Sequence, residues 1–274
     1  MNFLHKKANC LSVSEKSGIK ELWKEAFGDT ESFIDFMLDG ALSDGYFFAA
    51  KENDTLCSMF FLIGIECKTY DTATCGAYIY AVATKKELRG KGIFPKLFSY
   101  ATQFLKDFGA SFVLCKPSGE KLFDYYAKFG FEKVCFFKTE QIKPQKNGYN
   151  FKETLVSDKL YSKYLENLDK STSELVKSPS VFFGSLECAL SEPGYKLFEF
   201  ESGFAVGNVE KKHIMYICAP KGEFVSAARA LTDYFGSEGS VTVYSAFPKD
   251  GSPYACALFF GKDAHEIHCP LLFE

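Results

Sequence analysis

Two glycines set two residues apart, Gly90 and Gly92, end an apolar run, Tyr80-Ala81-Val82-Ala83-Thr84, and open a helical pattern at Ile93. A chain with this arrangement turns from strand to helix through residues that leave the backbone bare. The first amides of a helix have no partner inside it, and the helix dipole adds partial positive charge at the same place. Together they bind anions. Arg89, Lys91 and Lys96 add cations around the turn, and Arg89 is one of two arginines in a lysine-rich chain, the other being Arg229. The spacing points to a ligand that carries a pyrophosphate.

The rest of the chain is organised on either side of this turn. Helical spacing of apolar residues predicts helices over 16–27, capped by Ser14, and 29–42, capped by Asp29. Strands follow at 46–51, 56–70 and 76–84, joined by turns short enough to make them antiparallel. After the glycine turn come a helix over 93–108 and a strand over 111–116, a strand–helix–strand unit that implies a parallel crossover. A helix at 120–128 ends at Phe129-Gly130-Phe131, a strand covers 132–139, and the lysine-rich stretch 138–152 reads as a linker.

The second half repeats this order, with helices at 157–168 and 180–190, strands at 196–201, 203–210 and 213–219, a helix at 222–235 and strands at 240–246 and 255–261. A strand or extended tail closes the chain at 265–273. The expected architecture is α/β of the α+β kind, two tandem domains of one fold. Each has a mixed, mostly antiparallel sheet flanked by helices, over 1–142 and 153–274 with a linker at 143–152. In the second copy the turn reads Ala219-Pro220-Lys221-Gly222-Glu223, one glycine beside an acid. That copy is degenerate, and the pyrophosphate ligand belongs to the first.

A net charge of −3 argues against nucleic acid as a partner. The ten cysteines are scattered, mostly inside apolar runs, without a Cys-x-x-Cys pair, as in a reducing compartment. The N-terminus lacks the apolar core of a signal peptide and no apolar run is long enough to span a membrane, so the expectation is a cytoplasmic protein with no membrane partner. His265-Glu266-Ile267-His268-Cys269 lacks metalloprotease spacing and, in a strand, splits its ligands between two faces, so no metal is expected.

These residues resemble the GCN5-related N-acetyltransferase (GNAT) superfamily. Val82-Ala83-Thr84, Arg89-Gly90-Lys91-Gly92 and Leu97 match its acetyl-CoA signature, and Tyr126-Ala127-Lys128-Phe129-Gly130-Phe131 matches its Tyr-x-x-x-Gly-Phe element. The likeness covers about residues 15–140. The tandem layout is similar to the enhanced-intracellular-survival group, although this chain is too short for that group's third, sterol-carrier-like domain. Where the family often has glutamine or arginine the chain has Glu87, and Ser118-Gly119 stands near the place of a frequent asparagine.

The resemblance implies acetyl-CoA as co-substrate and direct attack of an amine on its thioester. Amides of Leu88, Arg89, Gly90, Lys91, Gly92 and Ile93 would hold the pyrophosphate, and Val82, Ala83 and Thr84 would pair with pantetheine like another strand. Tyr126 would act as general acid toward the leaving thiolate. The base is open among Glu66, Tyr78, Tyr80 and, by likeness to the enhanced-intracellular-survival enzymes, the C-terminal Glu274. The acceptor is a small amine, an aminoglycoside-like compound, a peptide, or a protein lysine or N-terminus. Acids near the first two helices, Glu31, Asp35, Asp39 and Asp44, either attract such a cation or form a solvated face. The alternatives are an aminoacyl- or peptidyl-transferring relative and a non-catalytic acyl-CoA-binding module.

Overall fold

The computed structural model describes residues 1–68, 72–168, 174–220, 222–245, 251–260, 267–270 and 272. Contacts divide the chain into one unit of Met1–Glu66, Thr74–Cys115 and Ala257–Lys262, and another of Cys67–Ala73, Lys116–Cys256 and Asp263–Glu274.

The first unit opens with a strand that the weak alternation of the N-terminus does not announce, β1 (Asn2–Lys7). Helices α1 (Val13–Phe27) and α2 (Glu31–Asp39) follow, then β2 (Tyr46–Glu52), β3 (Thr55–Lys68), β4 (Ala73–Thr84), α3 (Ile93–Asp107) and β5 (Phe112–Cys115). The sheet order is β1-β2-β3-β4-β5. β1 runs antiparallel to β2, and β2 to β3 across a hairpin whose turn residues Asn53 and Asp54 both have positive φ. Such a turn matches the natural twist of a hairpin, and asparagine and aspartate tolerate it best after glycine. β4 and β5 pair in parallel from Gly76↔Phe112 to Ile79↔Cys115, the expected crossover. Gly76 is required there because a Cβ would lie 2.5 Å from the Phe112 ring.

Helix α3 buries Ile93, Phe94, Leu97, Phe98, Ala101 and Leu105. Phe94 stacks on Phe98 at 5.7 Å, and Phe104 packs on Tyr46 and Phe48 of β2. Burying aromatic rings of this size stabilises the helix by about 2 kcal/mol each. The helix is therefore held by its apolar face, and its first turn is left for other work.

The second unit contains α4 (Glu120–Ala127), β6 (Glu132–Ile142), β7 (Lys152–Thr154), α5 (Asp158–Glu166), β8 (Glu174–Val176), α6 (Pro179–Ser191), β9 (Tyr195–Phe200), β10 (Gly203–Asn208), β11 (His213–Cys218), α7 (Phe224–Tyr234), β12 (Gly239–Ser245) and most of β13 (Ser252–Phe259). Its sheet order is β13-β6-β12-β11-β10-β9-β7. β9–β10 and β10–β11 are antiparallel and β11–β12 parallel, as β2–β3 is antiparallel and β4–β5 parallel in the first unit, and the order helix–helix–three strands–helix–strand recurs. One side is covered by Leu160, Phe182 and Leu186 of α5 and α6, the other by Ala227, Ala228 and Leu231 of α7.

Two expectations change. The stretch 138–152 is not all linker. β6 runs to Ile142, because Lys138, Thr139, Glu140, Gln141 and Ile142 continue the ladder with β12, which pairs from Ser245↔Phe136 to Gly239↔Ile142. Beyond it the chain is docked on α7: Gln145 N donates to Arg229 O and Asn147 Nδ2 to Ser226 O. The caps of the first helices also differ from the spacing. Ser12, not Ser14, starts α1, and Thr30 starts α2 because the Asp29 carboxylate accepts from Trp23 Nε1 at 2.7 Å.

Ser12 and Glu15 form a reciprocal capping box, and Lys6 Nζ reaches Glu15 at 2.9 Å. Burial alone would raise the Glu15 pKa, but the hydrogen bonds from Lys6 and Ser12 outweigh it and bring it down to about 2. A carboxyl held below its unfolded pKa stabilises the fold above that pKa and stops doing so as pH falls through the folded one. Glu15→Gln is expected to lower stability by about 1–2 kcal/mol at neutral pH. In urea titrations at a series of pH values the deficit shrinks below about 4.5. A deficit independent of pH would assign the whole effect to cap geometry.

Candidate functional site

The sequence places strand, turn and helix next to one another, and the structure gives each a different job. Within β4, Ala81 has φ of +50° and is buried. A non-glycine residue in that region costs about 1–2 kcal/mol, so the surrounding sheet imposes the kink. The strand beyond it is pinned from β3. Ser58, wholly buried, donates to Ala83 O at 2.9 Å and lies 2.8 Å from Thr84 Oγ1, while Lys85 N donates to Cys57 O.

A short 3-10 turn, Lys86–Leu88, follows, and three amides at this point are taken up. Lys86 N donates to Glu25 Oε1 at 2.6 Å, Leu88 N to Lys85 O at 2.9 Å and Arg89 N to Lys86 O at 3.3 Å. Arg89 Nε closes the loop on Thr84 O at 3.0 Å. Next come Gly90 and Gly92 at φ of +76° and +72°, with no atom within 4 Å of where a Cβ would stand. Glycine is therefore needed for backbone conformation and not for room. Gly92 is the N-cap of α3, with no side-chain cap, and the first turn of α3 contains no acid. Among the described residues, no turn or loop hydrogen bond takes up the amides of Gly90, Lys91, Gly92 or Ile93. Arg89, Lys91 and Lys96 are exposed around them. Backbone donors at the positive end of a fifteen-residue helix are an arrangement that can hold an anion, a cradle in form.

The corresponding helix start in the second unit is built differently. Glu223 is the N-cap of α7, and its Oε2 accepts from Tyr149 Oη at 2.9 Å and Ser202 Oγ at 3.0 Å. A carboxylate stands where the first unit offers amides to an anion.

Tyr126 lies on α4 in the second unit, 5% exposed, with its ring 5.3 Å from that of Phe131. Its carbonyl accepts from Phe129 N and Phe131 N, and Gly130 has φ of +85°, so the Tyr-x-x-x-Gly-Phe spacing is that of a helix stop. Glu66 is half-buried near the end of β3. Tyr78 is buried in β4, and Tyr80 packs its ring 5.7 Å from Trp23. Glu274 and His265 lie outside the described residues. His268 Nδ1 meets Glu174 Oε1 at 2.8 Å; burial alone would lower the imidazole pKa, and the Glu174 carboxylate outweighs it and raises it. The acids of α2 are in ion pairs with lysines of α1: Lys16–Asp39, Lys20–Asp35 and Lys24–Glu31, each 2.6 Å. They make a solvated, self-neutralised face.

Ser58 and Glu25 escape sequence reasoning because a strand serine and a helix glutamate carry no motif. His213, Thr242 and Tyr244 escape it too, since only folding brings two separate strands, β11 and β12, to one cavity.

No helix among the described residues is long and apolar enough to cross a membrane. Residues 10–134 match the model of the acetyltransferase (GNAT) domain family. No curated protein matches the sequence significantly. Solved structures with the same fold include a GCN5-related N-acetyltransferase from Anabaena variabilis, 13% identical, with 93% of this chain aligned to 72% of that one at a TM-score of 0.73. A GCN5-related N-acetyltransferase from Kribbella flavida is 15% identical over 94% and 72% of the two chains, with a TM-score of 0.66. Eis1 from Mycobacterium abscessus is 9% identical over 94% and 74%, with a TM-score of 0.71. Residues 10–134 therefore carry the pattern of an acetyltransferase (GNAT) domain, and the chain shares the fold of these structures.

Proposed function

We propose that this protein transfers an acetyl group from acetyl-CoA directly to an amine. The observation that carries the reading is the set of amides at Gly90, Lys91, Gly92 and Ile93, aimed from two left-handed glycines at the start of a helix that has no side-chain cap and no acid in its first turn. A pyrophosphate supplies acceptors for such donors, and the exposed Arg89, Lys91 and Lys96 supply countercharge. Leu88 and Arg89, whose amides are bonded to Lys85 and Lys86, shape the turn. The kinked end of β4, Val82 to Thr84, offers a strand edge to the amides of pantetheine, and an amide there polarises the thioester carbonyl. The acceptor nitrogen forms a bond to the carbonyl carbon and gives up a proton, the carbon–sulfur bond breaks, and the thiolate takes a proton from Tyr126. Glu223 at the α7 start argues for one cofactor site, in the first of two tandem domains.

One observation favours a second reading. Tyr126 is buried, as a residue that only packs would be, and an acyl-CoA-binding module without catalysis would keep the cradle and leave Tyr126 structural.

Acetyl-CoA is expected to raise the melting temperature, and thiol release with an amine panel separates enzyme from binding module. No shift with acetyl-CoA rejects both. Tyr126→Phe should lower kcat about 100-fold with acetyl-CoA affinity nearly unchanged; an unaltered kcat removes its acid role. Gly92→Ala forces a side chain into the left-handed region, with an expected loss of about 1–2 kcal/mol in stability and at least about tenfold in acetyl-CoA affinity. Gly18→Ala, inside α1 with open space around it, is the control and should stabilise by about 0.5–1 kcal/mol. Equal acetyl-CoA affinity in the two variants contradicts the cradle.

A further inference from the structure

Strand β12 stays paired with β6 along its whole length, but its parallel register with β11 ends at Ile214↔Val241. Beyond that point Met215 diverges from Thr242 and Tyr244, and the opening leads into a cavity of about 440 Å³ within the second unit. Its walls are largely aromatic and apolar: Phe123 of α4, Phe137 of β6, Met215 of β11, Tyr244 of β12 and Tyr254 of β13. A cavity of this size and lining takes a small organic molecule with an apolar body.

Ser118, Thr242 and Ser252 add neutral polar groups, and the charged groups are few and balanced. Glu120, in the first turn of α4, supplies a carboxylate. Lys116 supplies an ammonium, held over the Tyr254 ring at 5.4 Å from its centroid. His213 has both ring nitrogens engaged, Nδ1 with Tyr195 Oη at 2.6 Å and Nε2 with Thr242 Oγ1 at 2.9 Å. Burial, with Lys211 nearby, lowers its pKa, so it adds no charge at neutral pH. A polycation would find one carboxylate opposed by one lysine. A single ammonium on an apolar body finds Glu120 for its charge and aromatic faces for the rest.

The same helix carries Tyr126. Phe123 and Tyr126 are three residues apart and share a face of α4, so the cavity lies one helical turn from the proposed acid. We infer that this cavity receives the apolar body of the acceptor, and that the acceptor is a monoamine with an aromatic or branched aliphatic body, not an aminoglycoside-like polycation. The inference rests on the acyl-transfer reading.

The test uses phenethylamine, ethanolamine and kanamycin on the full chain, with direct binding followed by calorimetry and transfer by thiol release. Phenethylamine should bind without acetyl-CoA and be acetylated with kcat/KM at least about tenfold above the other two, since burying a phenyl ring contributes at least that much. Met215→Trp, which fills the cavity, should abolish the preference. Glu120→Gln, an exposed change that leaves folding alone, should weaken phenethylamine about tenfold while leaving phenethyl alcohol binding unchanged. Preference for kanamycin, or phenethylamine binding indifferent to both variants, overturns the inference while transfer itself stands. Phenethylamine binding sensitive to both variants, with no thiol release from any amine, supports the cavity as an apolar-amine site and rejects the transfer reading.

Discussion

Every backbone amide needs an acceptor, and the amides of Gly90, Lys91, Gly92 and Ile93 find none in the turns and loops of the described chain. The first unit is arranged so that this is tolerable. Ser58 and Lys85 fix the end of β4, and Glu25, Lys85 and Lys86 take up the amides just before the cradle. The aromatic packing of Phe94, Phe98 and Phe104 holds α3 in place without help from its N-terminus. Stability therefore comes from the apolar side of the helix, and its polar end is left wet and positive for a ligand.

The second unit shows the same fold with that end closed. An antiparallel pair and a parallel pair of strands recur and a helix again follows the third strand, but Glu223 stands at the helix start and is itself held by Tyr149 and Ser202. A carboxylate at a helix N-terminus contributes about 0.3–1 kcal/mol to stability and repels a phosphate. The two units thus use the N-terminal end of a helix in different ways. What the second unit gains is room elsewhere, where β11 parts from β12 and α4 begins over the gap.

Much of this was legible in the residues. The period-3.6 pattern of α3, the hairpin at Asn53-Asp54 and the parallel crossover from β4 to β5 all rest on local rules and all appear as expected. The glycine pair marked the cradle because few contexts other than positive φ call for two such residues at that spacing. The caps at Ser12 and Thr30 were missed by one or two residues, since competing serines and aspartates nearby are equally good by type and only Trp23 decides the use of Asp29. β1 is not legible because an edge strand with no fully buried residue has little pattern. The end of β6 is not legible because a polar run such as Lys138-Thr139-Glu140-Gln141 looks like a linker until a neighbour pairs with it. The cavity had no signal at all, because Phe123, Met215 and Tyr254 meet only through topology.

The central claim is that pyrophosphate oxygens supply the acceptors these amides lack. A crystal structure of the acetyl-CoA complex tests it most directly. The account predicts phosphate oxygens within hydrogen-bond distance, about 2.7–3.2 Å, of the backbone nitrogens of Gly90 to Ile93, with Arg89 or Lys91 alongside. Acetyl-CoA bound with its pyrophosphate away from the α3 N-terminus, and those amides facing solvent, would contradict it.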